Sequence, residues 1–188
     1  MSTMSKEVDI SSAKKLGIMG SLFLCLFFIP FLGVFAFFAG MSLILMAFNR
    51  FSKVFNNNKL FSKFLQAFVP SIILSFAVLI FEIMFGFGFV LSKVYKTGFN
   101  EGTFFFLVSL MIFVGVYLVG MFISYNYKKA FYELSKATNH KLFETVGNLM
   151  FFGSTLVIFF VGILIVYISY ILLLIAFIKL PNKLNYLL

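Results

Sequence analysis

The chain has 188 residues, 62% of them hydrophobic and 11% charged, with a net charge of +9 and a mean hydropathy of +1.09. Soluble domains are about a quarter charged, so an ordinary water-soluble fold is excluded, and crossings of roughly 20 apolar residues each would fill about six bilayer spans. The cations sit in short segments between apolar runs, which argues against a nucleic-acid partner.

Residues 1–14 read as a cytoplasmic tail carrying Lys6, and Lys14 and Lys15 precede the first apolar block, about 16–48. That order resembles a signal peptide, but no small-residue cleavage site follows, so a retained first crossing is expected. The block is too long for one crossing and holds a turn signal, "FFIPFLGVF", in which Pro30 ends a helix and Gly33 permits a reversal. Gly17 with Ser21, and Ala36 with Gly40, are small residues spaced four apart. They suit close helix packing, within the monomer or between copies in a homo-oligomer. Cys25 is the single cysteine and reads as a packing residue, since one thiol makes neither a disulfide framework nor a CxxC pair.

Residues 50–63 form the first cytoplasmic linker, with Arg50, Lys53, Lys59 and Lys63. Two blocks of one helix each follow, 64–92 and 103–125, then a second linker, 128–143, with Lys128, Lys129, Lys136 and Lys141. The last block, 145–178, is again long enough for two short helices, with "FFVGILI" and Gly162 near its centre. The tail, 181–188, follows Lys179 and carries Lys183. All these cations fall on one side of the expected membrane, leaving Lys93 and Lys96 on the other, so both termini should be cytoplasmic. The linkers mix Lys with Phe and Leu and should lie as amphipathic elbows on anionic lipid headgroups. Asn49 and Asn148 fall at expected interfacial ends, where they would cap helices or meet headgroups.

An internal repeat is visible. "AFNRFSKVFNNNKLF" (47–61) resembles "AFYELSKATNHKLF" (130–143) with a one-residue gap, and "AFIKLP" (176–181) begins a third copy. Gly33 and Gly162 precede their AF pairs by the same distance. The expected fold is all-α: a single transmembrane domain, 15–180, of about six helices in three parallel hairpins, 15–50, 64–127 and 144–180. The alternative count is two crossings plus two re-entrant hairpins.

Glu82 is the one charge inside "FAVLIFEIMFGFGFV". A carboxyl near the bilayer centre costs several kcal/mol and normally faces a bundle interior or a wet cavity. It either donates a hydrogen bond across the bundle or serves as a proton or cation site, with Gly86 and Gly88 allowing close approach. Partners at similar depth are Ser109 and Tyr117, Ser154 and Thr155, and Ser169 and Tyr170. His140, the lone histidine, has no second ligand beside it, so no metal site is expected. HExxH, GxSxG and P-loop patterns are missing and Asp9 is the only aspartate, so neither an enzyme nor a cofactor is expected.

Several segments carry a family resemblance: Lys15, Leu16 and Gly17 opening the first block, Ile29 and Pro30 at its turn, and Leu134, Ser135, Thr138, Leu142 and Phe143 before the last. In these the chain resembles the domain-of-unknown-function 996 family of small archaeal and bacterial multi-pass membrane proteins. The resemblance spans nearly the whole chain and implies a cell-membrane location, with no known activity or site residues. The reading is an integral membrane protein of unknown activity with a structural or assembly role; a small transporter or channel using Glu82 is the alternative.

Overall fold

A backbone surrounded by apolar side chains has no water to bond with, so it satisfies its own amides and carbonyls by coiling. Nearly the whole chain does this. The computed structural model describes residues 5–29, 32–95 and 100–187, with the side chains at 5–6, 82, 84–107 and 185–187 outside the described set. Pro30 and Lys96 thus lie outside the described residues, as do the side chains of Lys6, Glu82 and Lys93 and the surroundings of Gly86 and Gly88. The elements are β1 (Ser5–Asp9), α1 (Ser11–Cys25), α2 (Leu32–Val54), α3 (Asn58–Tyr95), α4 (Asn100–Thr138), α5 (Leu142–Thr155), α6 (Val161–Lys179) and β2 (Lys183–Leu187).

Among the described residues, five segments are long and apolar enough to cross a membrane: Ser11–Phe28, Leu32–Val54, Asn58–Phe81, Val108–Thr138 and Val161–Lys179. The expected sixth falls on α5, which has only 14 residues. That is about 21 Å of helix against a hydrocarbon core of roughly 30 Å. Helix α1 packs against α2 and α6, and α2 against α3. The chain of neighbours continues through α4 and α5 back to α6.

The terminal segments are not free tails. β1 and β2 pair antiparallel, Ser5 opposite Leu187 through Asp9 opposite Lys183, and the Ile10 amide donates to the Asn182 carbonyl at 2.9 Å. The Ser11 amide donates to Asp9 Oδ1 at 2.8 Å and holds that carboxyl below its usual range. Glu7 and Lys183 pair across the ribbon at 3.3 Å, but both are well exposed and so contribute little. Ile10, fully buried, plugs the ribbon into the bundle.

The stretches between the apolar blocks are mostly helical. Helix α2 runs through Arg50 and Lys53, α3 starts at Asn58, and α4 carries Lys128, Lys129 and Lys136 before ending at Thr138. The breaks are confined to 55–57 and 139–141 in place of the expected 50–63 and 128–143. The aromatic faces of these stretches turn inward. Phe51, Leu60, Phe131, Leu134 and Phe143 are all at most 1% exposed. The most tightly packed core therefore sits at the lysine-bearing end, while large apolar side chains lie exposed farther along the helices, Phe35, Met111 and Phe159 among them.

Asn49 and Asn148 do not cap helices, since one lies five residues inside the end of α2 and the other midway along α5. The capping asparagines are Asn56 and Asn139, with φ of 48° and 52°, in the left-handed region that asparagine tolerates better than most residues.

Candidate functional site

The two breaks at the lysine-bearing end are built alike. The Asn57 amide donates to the Ser52 carbonyl at 2.9 Å and the Asn56 amide to the Lys53 carbonyl at 3.3 Å. At the other break, His140 donates to Ser135 at 3.1 Å and Asn139 to Lys136 at 3.4 Å. This paired arrangement closes a helix with a left-handed residue. Each break adds a hydroxyl: Ser52 Oγ donates to the Asn57 carbonyl at 3.0 Å and Ser135 Oγ to the His140 carbonyl at 3.2 Å. The next helix then starts with the Leu60 amide on the Asn57 carbonyl, and with the Phe143 amide on the His140 carbonyl, both at 3.2 Å. The structural register therefore needs no gap: Leu60 corresponds to Phe143, and both are fully buried.

Three Ala-Phe pairs feed one hydrophobic core. Ala47 and Phe48, Ala130 and Phe131, and Ala176 and Phe177 are each at most 1% exposed. Phe48 stacks on Phe64 at 4.3 Å and meets Phe131 edge-on at 5.5 Å, while Phe177 meets Phe143 at 5.0 Å and Phe51 at 6.3 Å. The alanines let the backbones close in, and the rings fill what remains. Around this core stand lysines over rings, Lys129 on Tyr125 at 4.2 Å and Lys136 on Tyr132 at 4.3 Å. Such pairs hold an ammonium at a boundary between apolar and wet surroundings.

The small residues divide their work between two interfaces. Gly17 faces the Phe177 ring across α1 and α6, where a Cβ would overlap it. Ser21 is fully buried and bonds to the Gly17 carbonyl within its own helix. Gly40 lies against the Gly20 carbonyl of α1, so the closest α1–α2 approach is Gly20 with Gly40; Gly20 was not anticipated because it breaks the four-residue spacing with Gly17. Ala36 is buried on α2.

Of the proposed polar group, the structure brings Tyr117 and Thr155 together. The Tyr117 hydroxyl donates to the Thr155 carbonyl at 2.8 Å, tying α4 to the end of α5. Ser154 and Thr155 turn their own hydroxyls to the Met150 and Phe151 carbonyls, at 2.8 and 3.0 Å. Ser169 bonds back to the Val166 carbonyl, and Ser109 is itself partnered. Tyr170 is 8% exposed and lines an apolar crevice of about 190 Å³ between the two turns, with Phe28 and Tyr167 packed edge-on at 4.6 Å beside it. Glu82 lies on α3, its side chain outside the described residues.

A further polar contact gave no sequence signal. Ser71 Oγ and Tyr127 OH meet at 3.1 Å across α3 and α4, with Tyr127 4% exposed. Tyr127 sits next to Lys128, and that neighbour hid its burial. Tyr117→Phe should lower stability by about 0.5–1.5 kcal/mol, the usual net worth of one such bond, read as a lower midpoint in chemical unfolding of the detergent-solubilised protein.

Among the described residues, a bundle of six helices, with five segments long and apolar enough to cross a membrane and cations gathered around one packed end, is compatible with a multi-pass membrane protein. The chain belongs to the family described as Protein of unknown function (DUF996), which matches residues 36–171. It is also 33% identical over 180 residues to an uncharacterised protein of Methanocaldococcus jannaschii, an alignment covering 95% of this chain and 97% of that one. No solved structure matches it.

Proposed function

We propose that the protein is a non-enzymatic integral membrane protein that organises lipid or assembles with other membrane components. In this reading its helices form three hairpins, α1 with α2, α3 with α4 and α5 with α6, which enter from one cytoplasmic face. The observation that carries it is the position of the core. Buried aromatic residues and cation-bearing helix ends share one end of the bundle, while exposed apolar side chains cover the rest. Side chains such as Phe35 and Phe122 have no place in water but fit hydrocarbon. The similarity of the helix breaks at Asn56 and Asn139, each following a hairpin, supports duplication of a hairpin together with its connector. Lysines held over tyrosines at the rim would meet anionic headgroups.

The test is sidedness. In sealed vesicles with the lysine-rich face outward, an impermeant amine reagent should modify Lys53, Lys59, Lys129 and Lys136 together, as read by peptide mass spectrometry. Equal modification of these lysines from both sides, or a chain that stays in solution without detergent, would sink the reading.

A further inference from the structure

How far the outer helix pairs reach can be measured against α3 and α4. The Tyr117–Thr155 bond places the end of α5 level with Tyr117 on α4. Phe38 stacked on Phe76 at 6.1 Å, with Leu32 six residues before it, places the start of α2 near the level of Phe81 on α3. The Ser71–Tyr127 contact aligns the two long helices, and equal counts along them bring Phe81 and Tyr117 to one level. The start of α2 and the end of α5 thus reach the same height. Beyond it α4 extends back to Asn100 and α3 on to Tyr95. The extra helix on α4 is roughly 25 Å at 1.5 Å per residue, and from Thr103 its sequence, "TFFFLVSLMIFVGV", is almost wholly apolar.

The turn between α5 and α6 is apolar throughout. From Leu156 to Ile163 the chain has no polar side chain, and Phe159 and Phe160 are 71% and 79% exposed. Turns that reach solvent are normally built from Gly, Pro, Asn, Asp or Ser. Here the Phe159, Phe160, Gly162 and Ile163 amides find carbonyls inside the turn, Phe160 on the Val157 carbonyl at 2.9 Å and Gly162 on the Leu156 carbonyl at 3.2 Å. Internal satisfaction is the condition for irregular backbone to survive in hydrocarbon.

We propose that the α1–α2 and α5–α6 pairs enter the bilayer from the lysine-bearing face and end inside its hydrocarbon, making the molecule a wedge that fits membrane curved convexly on that face. Six helices displace lipid in the near leaflet, and only α3 and α4 in the far one. An inclusion wider in one leaflet lowers the cost of bending toward it. This rests on the membrane reading above, and names the lipid surface it would recognise.

The chain contains no tryptophan, so single tryptophans report depth without background. Phe35→Trp and Phe159→Trp would be placed at the exposed turns, Phe113→Trp on α4 and Tyr132→Trp at the lysine end. Each is reconstituted into phosphatidylcholine/phosphatidylglycerol vesicles containing lipids brominated at different chain depths. Both turn positions should be quenched best by bromines near the chain ends, as should Phe113→Trp, with Tyr132→Trp quenched best near the headgroups. Turn tryptophans quenched best near the headgroups overturn the inference while leaving the membrane reading intact, whereas failure of Phe113→Trp to be quenched removes that reading itself. Turn tryptophans untouched by any brominated lipid also overturn it, because a second copy then covers the turns. Labelled protein in giant vesicles should be enriched on a pulled tether when the lysine face is outward and depleted when it is inward. Equal density in both orientations overturns the wedge.

Discussion

Phe48→Ala is expected to be the most damaging single truncation in the molecule, costing about 3–5 kcal/mol, as full removal of a buried aromatic side chain usually does. Phe48 is fully buried and touches rings from two other helices, Phe64 of α3 and Phe131 of α4. Its loss leaves a void between Phe64 and Phe131. Thermal unfolding in detergent would read the loss as a lower midpoint. Phe122→Ala on α4 is the control: that ring is 60% exposed, so its midpoint should hardly move. Equal effects would mean that the lysine-bearing end is not where the fold is held.

The second large effect is expected at Gly162. A Cβ there would overlap three backbone atoms, the Gly153 oxygen, the Val157 nitrogen and the Leu156 carbonyl carbon. Backbone cannot swing aside as a side-chain tip can, so Gly162→Ala must open the turn between α5 and α6. The cost should reach or pass the upper end of the about 1–3 kcal/mol typical of overpacking. Gly115→Ala supplies the contrast, since nothing lies within 4 Å of its Cβ position on α4. That substitution should be neutral or stabilising by up to about 1 kcal/mol, from the smaller backbone entropy of alanine. Chemical unfolding of the two variants side by side separates the outcomes. The sequence-based expectation made Gly162 the reversal point itself. In the structure Phe160 takes the left-handed φ of 58°, and Gly162 instead admits the neighbouring helix.

How much could be read in advance differs by element, for physical reasons. The apolar blocks and their turns announce themselves through composition, because lipid-facing helices tolerate few polar residues. The Ala-Phe pairs were visible as a repeated pattern, yet nothing in a pattern says that all three meet in one cluster. The lysine-rich stretches are ambiguous. Phe and Leu on one side of a helix with Lys on the other look the same whether the helix lies on a membrane or stands in a bundle. Phe51 and Phe131 resolve that choice only once their neighbours are known. Gly20 was missed because a close approach is a property of two helices, and its partner Gly40 lies across the turn. Of the polar group, Tyr117 and Thr155 do meet, but through a backbone carbonyl, which no side-chain inventory reveals. The terminal ribbon left no local trace at all, since five-residue strands pair only through the folded bundle between them.

That ribbon, together with α1 resting on α6, has a consequence for how the chain is made. The Phe177 ring that fills the notch at Gly17 emerges from the ribosome long after α1 does, and the strand that β1 needs emerges later still. Through most of synthesis the first helix must therefore keep an open flank. Closure of the circle has to wait for α6 and β2, and shortening the chain ahead of Phe177 would leave α1 with its seam unsewn.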